Sequence, residues 1–405
     1  MRDIFESFAT LRSWCEAERF KGWDPYDGLN SRIFQILPLR KSTFCRLAVI
    51  QAFKRNQVNL RKIAIVPKKY NTKGLALLLQ GYCNLFHAVS RKVSLSDKIG
   101  DKSVILDKIN ELAELLVSLQ SKGYSGACWG YDFDWQSRAF FLPANTPTVV
   151  ATSFVVEALL NAYEITNTQR YKDIALSSSD FITKDLNRIQ YGDNFMFSYS
   201  PLDHRAVYNA TLLGSKTLSL IYHYTHNTDF KELAKKSIAA VCYKQNPDGS
   251  FPHSEQVGNE WRDNFHTGFK LESIAIYQAL CNDDSFDNNI NTGFAYWINN
   301  FFIKDKGIAK YYDTDKDNNL IDLHCTAQAI PTIYKTKKIY DSYNQEIIEN
   351  ILQWSINNMQ DKRGYFYFQK RGKTINKIAY MRWPNAWMFY GMSYWIKFLA
   401  ENEQD

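Results

Sequence analysis

The chain has 405 residues, 45% of them hydrophobic and 22% charged, the balance of a globular protein and not of a fibrous or disordered one. Lys and Arg outnumber Asp and Glu by 49 to 42, a net charge of +7; the long-range field favours anionic partners, and with no nucleic-acid-binding module in the chain, nucleic acid is excluded. The opening MRDIFESFATLRSW has no signal-like apolar core, no run approaches the ~18 apolar residues of a membrane span, and the seven Cys form no Cys-x-x-Cys, which together predict a reduced, cytoplasmic protein.

Residues 1–40 read as an N-terminal capping segment, whose loop KGWDPYDGLNSR (21–32) is expected to bring Trp23, Asp24 and Asp27 near a cleft. Helical periodicity over 41–55 and 71–89 predicts a first helical pair. From Lys54 to Lys73 there are seven basic residues and no acidic one: either a solvated face or a surface for an anionic membrane, a lipid-linked pyrophosphate or an acidic polymer. Segments 102–120 and 148–163 form the next pair, joined by the aromatic stretch GYSGACWGYDFDWQSRAFF.

From there the chain repeats. Gly192, Gly249, Gly307 and Gly364 are spaced by 57, 58 and 57 residues. Each is preceded by an amphipathic segment (168–186, 228–243, 286–302, 343–358) and followed by a short β-prone stretch. A second, almost wholly apolar segment then follows each (206–222, 265–281, 322–334, 383–399), and a helix apolar on most sides is a buried one. Six such pairs around one axis predict an all-α (α/α)6 toroid over residues 41–405, with short β-hairpins at the N-terminal ends of the inner helices. Those ends gather unpaired N–H groups and a positive dipole, so they form the face where an anionic ligand binds.

The polar residues concentrate there. Asn209, His266 and His324 each stand 17 residues after a repeat glycine. His204, Arg205, Tyr208 and Asn209, at the start of one inner helix, suit removal of a proton next to a carboxylate, with His204 or Tyr208 as base. Asp263 is an N-cap candidate beside His266, with Trp261 next to them and His253 in the preceding stretch. Asp322 with His324 repeats the carboxylate–imidazole pairing. Tyr311, Arg382 and Trp383 are substrate-binding candidates. Trp129, Tyr131 and Trp135 surround Asp132 and Asp134, two carboxylates on one face of a predicted strand that suit acid catalysis of glycoside hydrolysis; the high aromatic content, 15%, provides either core or sugar-stacking surface. Asp322, His324, Cys325 and His266 lack a zinc spacing, and Asp313-x-Asp315-x-Asp317 lacks the glycine and terminal carboxylate of a calcium loop. No metal or other cofactor is predicted.

The whole pattern resembles the α/α-toroid superfamily. QNPDGSF (245–251) resembles a turn of terpenoid cyclases, and RDNFHTGF (262–269) is similar to the segment holding a zinc-binding histidine in protein prenyltransferase β subunits, which would match His266. The D-x-D-D acid motif and the D-x-C zinc pair of those families are missing, which demotes terpenoid or prenyl transfer to an alternative. The design also resembles toroid proteins associated with bacterial surface-polysaccharide genes and, more distantly, glucuronyl C5-epimerases, alginate-type lyases and unsaturated glucuronyl hydrolases. That resemblance implies an enzyme acting on an acidic or lipid-linked saccharide in polysaccharide synthesis or tailoring, by C5 proton abstraction or by hydrolysis. A non-catalytic toroid that binds glycan or a partner protein is the other alternative.

Overall fold

The repeat becomes two concentric sets of helices in the computed structural model, which describes residues 3–137, 140–255, 261–314, 320–336 and 342–402. In chain order the helices are α1 (Ile4–Ala17), α2 (Arg32–Ile36), α3 (Thr43–Arg55), α4 (Thr72–Arg91), α5 (Ser96–Ile99), α6 (Lys102–Ser118), α7 (Val149–Thr166), α8 (Gln169–Asp180), α9 (Tyr208–Thr225), α10 (Thr228–Cys242), α11 (Asn264–Cys281), α12 (Asp287–Phe301), α13 (Leu323–Lys335), α14 (Ser342–Met359) and α15 (Ala386–Asn402). Helices α4, α7, α9, α11, α13 and α15 pack side by side in that order, and α15 returns against α4 to close the inner ring. Their apolar, small-residue sequences leave almost no side chain exposed. Among the described residues α7 alone is long and apolar enough to cross a membrane, and most of it is buried inside the ring.

Four charges from successive inner helices meet within the ring. Lys216 Nζ lies 2.9 Å from Glu157 and 3.6 Å from Glu272, and Lys335 Nζ lies 2.7 Å and 2.9 Å from the same two carboxylates. Burial raises the Glu157 pKa, but Lys216 and Lys335 outweigh it and hold the carboxyl down at about 2.

The outer ring differs from expectation at its closure. Helices α6, α8, α10, α12 and α14 occupy the anticipated outer positions, but the sixth is α1, which packs on α14 and α15, not the segment 41–55. The repeat glycines explain why. A Cβ on Gly249 would meet the Thr292 carbonyl oxygen of α12 at 2.3 Å, one on Gly307 the Asn350 carbonyl of α14 at 2.5 Å, and one on Gly364 the Thr10 carbonyl of α1 at 2.2 Å. Each glycine thus lets its turn press on the backbone of the next outer helix. The same glutamine bracket recurs: Gln245 Nε2 reaches Gly249 and Asn289 carbonyls, and Gln360 Nε2 reaches Gly364 and Ser7 carbonyls. Residues 4–17 therefore belong to the ring.

The segment 20–70 is the cap over the inner-helix N-termini. Its α3 packs on the one-turn helices Asp27–Asn30 and Pro38–Lys41 and on β1 (Trp135–Gln136). Buried Arg61 pins it, donating to Asp27 Oδ1 (2.7 Å), the Tyr380 hydroxyl (2.9 Å) and the Asp24 carbonyl (2.7 Å). Hairpins stand at the same end: β1 with β2 (Phe141–Leu142), β3 (Arg188–Tyr191) with β4 (Asn194–Phe197), and β5 (Phe302–Ile303) with β6 (Ile308–Ala309), each antiparallel. A three-stranded sheet joins β7 (Leu320–Asp322), β8 (Gln369–Arg371) and β9 (Thr374–Asn376), all antiparallel. The expected hairpin at 250–254 is instead irregular chain, tied by one bridge to Val207.

Gly192 has φ +61° but nothing within 4 Å of a Cβ, whereas Gly364 has φ +102° and the Thr10 backbone in the way. Gly192→Ala is expected to cost about 1–2 kcal/mol, the penalty of left-handed backbone alone. Gly364→Ala should cost clearly more and loosen α1; urea unfolding of both variants and hydrogen exchange of α1 check this.

A candidate active site at the inner-helix N-termini

The first turns of adjacent helices α9, α11 and α13 carry Asn209, His266 and His324, so the 17-residue offset does converge on one end of the barrel. Asp263 caps α11, accepting from the His266 N–H at 2.8 Å through Oδ1, while its Oδ2 lies 2.7 Å from His266 Nδ1. A carboxylate at Nδ1 places the proton there and leaves Nε2 as a base. The His266 side chain keeps 20% exposure, which gives that base access to a ligand.

Asp322 caps α13 in the same way, accepting from the His324 N–H at 2.9 Å. Its carboxylate does not reach the imidazole: Trp383 Nε1 takes both oxygens at 2.9 Å and Gln369 Nε2 takes Oδ2 at 2.6 Å. Asp322 and Trp383 are therefore structural partners of each other, and burial pushes the Asp322 pKa up to about 6. The imidazole of His324 is left bare. It is stacked between Phe265 (centroids 4.1 Å) and Trp387 (4.3 Å), and neither ring nitrogen has a hydrogen-bond partner. Burial, then the cations Lys73, His266 and Arg382, depresses its pKa well below the usual imidazole value. The His266 ring is also 4.1 Å from that of Phe265, so the two imidazoles share one aromatic neighbour.

Lys73 is the residue that the sequence reading placed wrongly. In the first turn of α4 it is 3% exposed, with its ammonium 4.4, 4.8 and 5.2 Å from the rings of Phe154, Phe269 and Trp387. No carboxylate pairs with it among the described residues. Burial foremost, then Arg382 and Lys216, lowers its pKa well below that of a free lysine. A lone Lys opening the apolar run TKGLALLLQGY was the available signal. Trp387 Nε1 and Asn209 Oδ1 are further buried atoms without a partner, and Trp387 was also missed.

The remaining candidates divide. Arg382 is at the mouth, but Asp24 holds its guanidinium at 2.5 and 2.8 Å, which supports the reading of residues 21–32 and ties up the expected carboxylate-binding group. Tyr131 lies under Arg382, 5.2 Å away. His253 stacks on Trp261 at 4.1 Å, and both rings approach His266, at 5.0 and 5.9 Å; Tyr311 stands beside Phe265. His204 is exposed, away from this cluster. Tyr208 is buried, with Glu255 acting on its hydroxyl, and Arg205 lies along Phe140, so the proposed His204–Arg205–Tyr208 set does not gather around His324. Trp129 is a core residue that donates to the Leu116 carbonyl at 2.8 Å. Trp135 packs on Phe140 and Tyr199. Asp132 and Asp134 precede the strand and are spent differently. Asp134 accepts from the Ala144 N–H at 2.8 Å and Asp132 from Asn71 Nδ2 at 2.9 Å, the latter with its pKa raised to about 6, mainly by burial. Asp313 is engaged by Arg262 and Tyr296, and Asp315 and Asp317 lie outside the described residues. Among the described residues no three His, Cys, Asp or Glu side chains come together as a metal site.

No protein-family model matches the chain, and no curated protein matches it by sequence. Solved structures do match its fold, which is that of α/α-toroid proteins. A cellobiose 2-epimerase from Bacillus thermoamylovorans is 16% identical with a TM-score of 0.59 over 82% of this chain and 90% of that one. A GH76 α-mannanase from Bacteroides thetaiotaomicron is 13% identical with a TM-score of 0.61, over 81% and 87% of the two chains. A D-mannose isomerase is 13% identical with a TM-score of 0.58, over 80% and 86%.

The buried neutral His324 has a consequence for stability. An unfolded imidazole gains its proton below about pH 6.5 while the folded one does not, so stability is complete above that pH and falls as the pH drops. Asp132 and Asp322 act in the opposite sense near pH 6, so the comparison needs a variant that keeps them. In His324→Phe, which preserves the stacking, the parent is expected to lose about 2 kcal/mol relative to the variant between pH 7.5 and pH 5, measured by urea unfolding at both values.

Proposed function

We propose that this chain is a sugar-acting enzyme of the epimerase or isomerase kind, which moves a proton at a carbon next to a carbonyl, on a saccharide that bears an anionic group. The observation that carries the reading is the pair His266 and His324. One imidazole is oriented by Asp263 with its base nitrogen free; the other is neutral, unpartnered and held between Phe265 and Trp387. His266 Nε2 takes the proton from carbon as the electron pair moves onto the carbonyl oxygen, to which the neutral His324 imidazole donates a hydrogen bond; water then protonates the other face of the carbon, and the hydroxide left behind takes the proton from His266. Lys73, which no carboxylate pairs among the described residues, balances the charge of an anionic group that arrives beside it. The names of two fold neighbours, a cellobiose 2-epimerase and a D-mannose isomerase, support this class. Synthesis or tailoring of an acidic surface polysaccharide is the setting that an anionic saccharide substrate suits.

Hydrolysis is the second reading. Asp132, with its raised pKa beside Asp24, has the character of a general acid, and the mannanase neighbour supports it.

The test is incubation of the full chain in deuterated water with neutral sugars, uronates and uronate polymers, followed by NMR and mass spectrometry. Deuterium at C2 or C5 without cleavage is the expected outcome. His266→Ala and His324→Ala should each lower turnover about 10²–10⁴-fold, and Lys73→Met should raise KM for anionic sugars while sparing neutral ones. Cleavage without exchange, lost in Asp132→Asn and kept in His324→Ala, would replace the first reading with the second.

A further inference from the structure

The cap carries a surface that the barrel does not use. Among the described residues the fold leaves twelve large hydrophobic side chains exposed, and eight of them lie between Ile33 and Ile65. The most open are Ile36 (82% exposed), Phe44 (79%), Ile63 (75%) and Val58 (65%). Between Gly28 and Tyr70 the chain has ten Lys or Arg and no Asp or Glu. Arg40, Lys41, Arg55 and Lys62 are exposed among these apolar groups, and no carboxylate pairs with them among the described residues. Leu29, Phe34 and Ile50 form the small core beneath. Helix α3 buries Ile50 alone and presents Phe44, Ala48, Gln51, Ala52 and Arg55 along its open side.

We infer that residues 32–65 are a docking surface for an anionic lipid bilayer. Apolar side chains scattered among uncompensated cations match an interface in which acyl chains lie beneath negative headgroups. A second copy of this chain is a poor occupant, because a two-fold contact would set the exposed Arg40, Lys41, Arg55 and Lys62 of one copy against those of the other, with no carboxylate of residues 32–65 to relieve them. The cap that carries this surface also supplies Asp24 to Arg382, so docking brings the barrel mouth to the level of the headgroups. The inference is independent of the reaction proposed above.

Sedimentation of the full chain with phosphatidylcholine vesicles, and with vesicles also containing phosphatidylglycerol, tests it. Binding to the second kind alone is expected, weakening at high salt. Ile36→Ser/Phe44→Ser/Ile63→Ser and Arg40→Gln/Lys41→Gln/Arg55→Gln/Lys62→Gln should each weaken it at least about tenfold. Both variants change exposed positions, so circular dichroism and thermal melting should match the parent. Failure to bind phosphatidylglycerol vesicles, or variants that bind as well as the parent, would overturn the inference. So would sedimentation equilibrium that shows a dimer which the serine variant dissociates.

Discussion

Everything at the open end of this barrel depends on how the inner helices are held level, and the Glu157–Lys216–Glu272–Lys335 cluster is where four of them are tied. Each lysine touches both glutamates, so α7, α9, α11 and α13 are linked through side chains rather than through neighbouring surfaces alone. Such a cluster is not by itself a large source of stability, since taking four charges out of water costs about what their pairing returns. Its effect is on arrangement. A rotation or slip of any one helix would strand a charge in the barrel, at a cost of about 3–5 kcal/mol. Apolar helices packed on one another could slide at much smaller cost; helices tied in this way cannot.

With the helices level, their first turns meet, and the same local device yields two different residues. Asp263 and Asp322 both cap a helix that presents a histidine. The first carboxylate has an oxygen left for the imidazole two positions beyond the first helical residue; the second has given both oxygens to Trp383 and Gln369. One histidine is therefore oriented, partly open and able to act as a base, and the other is bare and neutral in an aromatic slot. Two histidines on similar turns thus take different protonation roles because a tryptophan from α15's entry turn captures one carboxylate. Lys73 follows the same logic, its charge facing aromatic rings instead of a carboxylate.

Much of the fold was legible. The spacing of Gly249, Gly307 and Gly364 is a packing constraint, a backbone approach that excludes a Cβ, and Gly192 shares only their positive φ, so the turn leaves a mark at fixed intervals. The almost wholly apolar inner segments reveal burial directly, and the 17-residue offset found His266 and His324 because equal repeats carry equal positions to one end. The errors came where a local pattern has no information about its surroundings. Trp129 in an aromatic run reads as a stacking surface until the outer helix α6 is seen to cover it. His204 reads as part of a catalytic set until it is found on the solvent side. In the basic run, Arg61 and Lys73 have no sequence mark that separates them from the exposed Arg55 and Lys62.

The sequence by itself determined the toroid, the number of inner helices and the end at which polar residues collect, because period, amphipathicity and capping are properties of neighbours along the chain. Tertiary structure alone decided that α1 and not residues 43–55 closes the ring, that Asp24 occupies Arg382, and that His324 and Lys73 stand without partners. These outcomes turn on which group from a distant segment reaches a given oxygen or nitrogen first. That competition is settled by distances across the closed ring, and no stretch of chain contains them.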